Sequence, residues 1–201
     1  MANMMMAGAG LAAAWSLLGA ATPAAAQTHA PEATLRQVTA DAVARGGEAL
    51  VSASVRDGSY FCPQYATLDT EGRSRFWAAF LAAVATAESG GDARKTHWRA
   101  YSGDARRPVI DRALFQIAIE SATRDSYRCE VTKPEDLASP DRNAACAVRI
   151  AAHWTLKDHA IYDQDHGRWR GAARFWPRLR HADVRAAIAA ETSIVPDCAP
   201  R

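Results

Sequence analysis

A mainly α, single-domain protein is what the sequence predicts, and three observations lead there. Stretches 73–91 and 141–158 repeat apolar residues at helical spacing. The segments between them carry Gly, Pro and single aromatics without a clean period, so they read as loop with room for one small hairpin. At 201 residues the chain is long enough to bury one sizeable core.

Residues 1–26 contain no Asp, Glu, Lys or Arg, and the apolar run from Gly8 to Ala21 is followed by Pro23 and Ala24-Ala25-Ala26. An apolar core closing on small residues is the pattern of a secretory signal peptide, cleaved before Gln27. The run is too short and too rich in Ala and Gly to span a bilayer comfortably, and no Cys stands at the cleavage point for lipid attachment. The mature chain is expected to be periplasmic or secreted, with no stable membrane anchor once the signal is removed. Residues 27–60 form an N-terminal segment. Within it, Leu35 to Val55 has helical composition broken at Gly46-Gly47, giving two short helices or a helix and a strand. Residues 61–201 form the main domain.

The formal net charge of +2 is spread with both signs interspersed, which argues against nucleic acid as the main partner. Four cysteines, Cys62, Cys129, Cys146 and Cys198, imply two disulfides in an exported chain, with three connectivities open. Proximity favours Cys129 with Cys146, leaving Cys62 to tie the start of the domain to Cys198 near its end. No two of them lie close enough for a zinc site, and no metal is expected.

The stretch 73–91 holds the chain's main candidate for chemistry. Phe76, Phe80 and Val84 recur at intervals of four, while Trp77, Leu81 and Val84 lead by steps of four and three to Glu88. An acid stands where a hydrophobe would continue the stripe, just before Gly90-Gly91 end the helix. Both the negative end of the helix dipole and burial beside apolar side chains raise its pKa, as a general acid requires. For an arbitrary Glu the commoner outcome is a side chain turned to solvent or paired with Arg94 or Lys95, so the rest of the sequence has to decide.

Beyond Gly91, segment 92–110 reads as an irregular cleft wall, with a hairpin near Tyr101-Ser102-Gly103-Asp104 and Tyr101 as a substrate contact. Asp111 is expected to cap a short helix, RALFQIAIESA, with Leu114 and Ile117 inward and Gln116 on another side. From Asp141 a regular helix places Asn143, Cys146, Ala147, Ile150 and Trp154 on one face, so Asn143 is a buried structural amide bracing the loop before it. Tyr162, Trp169, Phe175 and Trp176 then stand among several Arg residues, a set that suits sugar rings and equally the edge of a core.

Three pieces occur in order: Glu88-Ser89-Gly90-Gly91 closing an apolar helix, Ala113-Leu114-Phe115-Gln116-Ile117 after an irregular loop, and Ser139-Pro140 with Asn143 opening the next helix. Together they resemble the lysozyme-like domain of soluble lytic transglycosylases over about 76–176. The resemblance implies a lysozyme-like fold, Glu88 as the catalytic acid/base, Ser89 orienting substrate and Gln116 lining the cleft. It also implies a Tyr close to the Glu, and Tyr162 stands at about the right distance, although Asp163 replaces the family's Asn and no Ala-Gly follows. Ala113 occupies the position of the family's first Gly.

The activity implied is cleavage of peptidoglycan glycan strands between N-acetylmuramic acid and N-acetylglucosamine, closing a 1,6-anhydro ring without metal or organic cofactor. A hydrolytic muramidase, with Asp92, Asp104 or Asp111 positioning water, is the nearest alternative. A non-catalytic lysozyme-fold module that binds glycan or a cell-envelope secretion apparatus is the other.

Overall fold

The computed structural model describes residues 32–101 and 104–199, with the backbone alone at Glu32, Ala33, Tyr101 and Ala105. The expected signal peptide, 1–26, lies outside the described residues. Helix α1, Glu32–Gly46, is separated from the short α2, Glu48–Val51, at the Gly46-Gly47 pair, so the break yields two helices rather than a helix and a strand. One turn of helix, α3, covers Gly58–Phe61, and α4 runs from Thr70 to Ser89. Asp69 caps α4, its Oδ1 accepting the Gly72 N–H at 2.7 Å, and Gly90 in the left-handed conformation (φ 71°) ends it.

Helix α4 is the axis of the core because it is apolar nearly all round, as a helix covered on every side must be. Phe76, Trp77, Phe80, Leu81 and Ala85 are each fully buried. Leu35, Val43, Leu50 and Val51 of the N-terminal segment are buried in the same core as Phe76 and Phe80, so 32–60 packs as part of one unit.

The irregular wall turns out to be a longer hairpin than the sequence suggested. Strand β1, Thr96–Tyr101, pairs antiparallel with β2, Asp104–Arg112, placing His97 opposite Asp111 and Arg99 opposite Val109. Residues 96–100 are all exposed, so no buried face imposes apolar alternation, and the strand leaves no period to read. Asp111 lies inside β2 and caps nothing. The expected helix RALFQIAIESA is absent: a turn occupies 113–116 and only Ile119–Ala122 is helical, as α5. Leu114, Phe115, Ile117 and Ala118 are all buried, but the backbone is held from outside the segment: the Ala113 N–H donates to the Lys95 carbonyl at 2.8 Å and the Phe115 N–H to Asn143 at 2.9 Å. The backbone instead turns through left-handed Ala113 (φ 59°) and Gln116 (φ 48°).

Helix α6, Pro140–Asp158, starts one residue earlier than expected, with Ser139 as its cap and Pro140 in its first turn. It packs with α1, which also packs on α4. A two-residue hairpin, β3 Gln164–Asp165 and β4 Arg168–Trp169, turns through His166 and Gly167, both at positive φ. Helix α7, Ala182–Ser193, packs on α4 and completes the bundle.

Two disulfides hold this arrangement, Cys62–Cys198 and Cys129–Cys146, with no free cysteine among the described residues. They fit an extracytoplasmic protein. No helix among the described residues is long and apolar enough to cross a membrane.

Candidate active site

The stripe that buries α4 carries Glu88 to the last turn of the helix, where the core gives way to a cleft of about 610 Å³. One carboxylate oxygen, Oε1, is buried and has no hydrogen-bond partner among the described residues. Burial pushes the carboxyl up to about 7; Arg178 and Lys95 pull against that rise, and the negative charge of Asp111 adds to it. A carboxyl half protonated near neutrality, reachable from a cleft and with an uncommitted oxygen, is equipped to give and take a proton.

Ser89 does not face that cleft. Its side chain is 4 % exposed, its hydroxyl donates to the Ala85 carbonyl at 2.9 Å and accepts the Gly91 N–H at 3.1 Å. Both bonds fasten the end of α4, so Ser89 holds Glu88's backbone in place and has no free group for substrate. Lys95 adds to the fastening by donating from Nζ to the Glu88 carbonyl at 3.3 Å, which also supplies a cation at a helix C-terminus.

Gln116 lines the cleft together with Glu88. Its amide nitrogen donates to the Lys95 carbonyl at 3.1 Å and to the Ala113 carbonyl at 2.7 Å, which fixes the side chain and leaves its Oε1 without a protein partner among the described residues. The turn that presents Gln116 is braced from α6. Asn143, fully buried, accepts the Phe115 N–H at 2.9 Å and donates to the Arg112 and Leu137 carbonyls, each at 3.2 Å. Asn143→Leu leaves the Phe115 N–H and the Leu137 carbonyl unpaired, while the Arg112 carbonyl keeps the Ile117 N–H, and we expect a loss of about 2 kcal/mol or more in a urea titration. An unchanged midpoint would mean that those groups find other partners.

The hairpin supplies the next part of the cleft. His97 and Arg99 lie two apart on β1 and therefore share a face, and Asp111 on β2 meets both. Arg99 binds Asp111 through two nitrogens, at 2.8 and 3.2 Å, and His97 lies 4.0 Å away. Of the acids considered for a hydrolytic role, Asp111 alone lines the cleft with Glu88. Trp98, on the opposite hairpin face, is exposed. Tyr101 ends β1, and its side chain lies outside the described residues.

Aromatic rings form a further wall. Trp154 on α6 donates from its indole N–H to the Tyr127 hydroxyl at 3.0 Å, Phe175 stands edge-on to Tyr127, and the buried Trp176 donates to the Phe115 carbonyl at 3.1 Å. All four rings line the cleft. Tyr162 is not among them, contrary to what the sequence suggested. Its ring packs edge-on against Phe61, with Arg185 4.5 Å above it, and its N–H is held by Asp57 at 2.8 Å. The segment after α6 is drawn to that side because Asp57 also takes the Ile161 N–H, fixing two successive residues away from Glu88.

Sequence reasoning missed Tyr127 and the cations Arg124, Arg174 and Arg178, which come from loops and single turns of 3-10 helix too short to leave a period. Trp154 had a signal, its place on the α6 stripe with Asn143. Phe175-Trp176 also had one, as an adjacent aromatic pair.

Three solved structures of Bd0314 DslA, one wild-type and two carrying a single glutamate-to-glutamine replacement, share this fold. Each has a TM-score of 0.73 and 28% identity, and covers 83% of this chain and 91% of its own. No protein-family model matches the chain, and no curated protein does.

Proposed function

We propose that the protein is a peptidoglycan lytic transglycosylase of the soluble lytic transglycosylase kind, acting through Glu88 alone. The observation that carries this is the Glu88 carboxyl itself: mostly buried, held near neutrality by that burial, with one oxygen buried and unpartnered among the described residues, and lining a cleft walled by aromatic rings. Aromatic faces stack on sugar rings, and the cleft's volume suits a short run of them. The ordered motifs around Glu88, Gln116 and Asn143 support the same family and a lysozyme-like fold.

Protonated Glu88 donates to the glycosidic oxygen as the bond to the anomeric carbon of N-acetylmuramic acid breaks. The sugar's own N-acetyl oxygen stabilises the positive anomeric carbon. Glu88, now a carboxylate, accepts the proton of the 6-hydroxyl, whose oxygen closes on the anomeric carbon. Gln116, with a free carbonyl oxygen, is placed to receive a hydrogen bond from a sugar amide or hydroxyl.

Asp111 favours a second reading, hydrolysis, because it shares the cleft with Glu88. Its two-point pairing with Arg99 weighs against it, since a base that positions water needs a free carboxylate oxygen. Mass spectrometry of a peptidoglycan digest separates the two. Transglycosylation leaves 1,6-anhydro ends lighter by one water, whereas reducing ends would assign the protein to hydrolysis and Asp111 to the second carboxylate. Absence of any product, with wall binding retained, would make it a non-catalytic module of the envelope or of a secretion apparatus.

A further inference from the structure

Five guanidinium or ammonium groups line the cleft, against two carboxylates, one of which is half protonated near neutrality. Two of the five are committed within the protein. Arg99 is held by Asp111 at two points, and Arg174 is held by the nearly buried Asp158 at 2.6 and 3.1 Å while lying over the Trp154 ring. The other three, Lys95, Arg124 and Arg178, have no carboxylate ion pair among the described residues; Lys95 rests on the Glu88 carbonyl, and Arg124 and Arg178 are exposed on the cleft wall.

A neutral sugar polymer gives no reason to gather unpaired cations. Arg178 even works against the acid it adjoins, since its charge favours the ionised form of Glu88. An anion on the substrate removes that opposition, because a guanidinium neutralised by a carboxylate no longer stabilises the charge on Glu88. Guanidinium is also the group whose planar donors match a carboxylate at two points.

We propose that Arg124 and Arg178, with Lys95, read carboxylates carried by the bound strand, so that the site selects acidic glycan over neutral or amidated glycan. This rests on the cleft being a glycan site. Two sources offer the same chemistry: the lactyl carboxylate of a muramic acid without its peptide, and the carboxylates of a peptide stem.

The experiment compares bare glycan strands and peptide-bearing strands, each with carboxylates free or converted to methylamides, for binding affinity and for kcat/KM at low and high salt. Free carboxylates are expected to tighten binding about tenfold or more at low salt, the gain shrinking as ionic strength rises. Arg124→Gln should collapse the ratio between free and amidated strands towards one, through Kd and KM rather than kcat, and Arg124→Lys should restore part of it. A preference confined to bare strands assigns the lactyl carboxylate, and one confined to peptide-bearing strands assigns the stem. Equal affinity for free and amidated strands of both kinds, or a ratio that survives in both Arg124→Gln and Arg124→Gln/Arg178→Gln, would overturn the proposal. Carboxylate-dependent binding without cleavage of any strand would sink the proposed activity and leave this inference standing.

Discussion

Glu88→Gln is expected to lower turnover of peptidoglycan by at least about 10³-fold while leaving sedimentation with insoluble cell wall unchanged. The amide keeps the shape of the carboxyl and cannot deliver or accept the proton. In the parent, activity should decline about tenfold per unit as pH rises above about 7, because the acid must begin the cycle protonated. A pH profile flat from 6 to 9, or a Gln variant with a tenth of parental turnover, would remove Glu88 from the chemistry.

The same substitution carries a stability signature of opposite sign. Glu88 titrates near 7 in the folded chain and at about 4.5 when unfolded, so between those values the native state binds the extra proton. Stability therefore falls as pH rises through that window, by up to about 3 kcal/mol once Glu88 is fully ionised, less whatever its residual solvent contact returns. Asp158 behaves in the reverse sense. Burial pushes its carboxyl up, but Arg174 and the Gly171 N–H outweigh burial and hold it low, so its contribution is lost on acidification. That term is common to parent and variant and cancels between them. Glu88→Gln and the parent should melt together below pH 4 and diverge above pH 7, with the inactive protein the more stable. Melting curves that coincide at pH 8 would mean that the ionised carboxylate sits in the folded protein at no cost.

What could be read from residues alone follows from which forces leave a period in sequence. Helix α4 and its terminal Glu88 were legible because one continuous buried stripe repeats every three to four residues, and Asn143 was legible as a polar interruption of the second stripe. The hairpin at 96–112 was legible only at its tip, since an exposed two-stranded ribbon needs no apolar alternation. The helix expected after Asp111 failed for a different reason: the Lys95 carbonyl and Asn143, both outside the segment, take its N–H groups, and tertiary contacts prevailed over helix-forming composition. Tyr162 was misplaced because Asp57, more than a hundred residues earlier, decides where that segment goes. The cleft's cations come from a strand, two loops and two single turns of 3-10 helix, and no local pattern announces that they converge.

Removing Cys62–Cys198 by a double Ala substitution is expected to cost about 5 kcal/mol, and removing Cys129–Cys146 about 3 kcal/mol. The difference follows from loop length, because the first bond spans 136 residues and the second 17, and a longer closed loop restricts the unfolded chain more. Local contacts at the two sites support the same order. Beside Cys62, the Thr192 hydroxyl donates to the Phe61 carbonyl, and beside Cys198, Asp197 pairs with Arg75 on α4. Both interactions join the chain's ends to the core, and both lose their anchor when the bond is removed. A loss of about 5 kcal/mol is comparable to the whole stability of many domains, so this variant is expected to unfold at or near 37 °C. The Cys129–Cys146 variant should stay folded, since Asn143 and the α6 stripe still hold that region. Urea titrations of both variants under non-reducing conditions measure the order. A larger loss from the 17-residue loop would place the stabilisation in native contacts around Cys146 and not in the entropy of the unfolded chain.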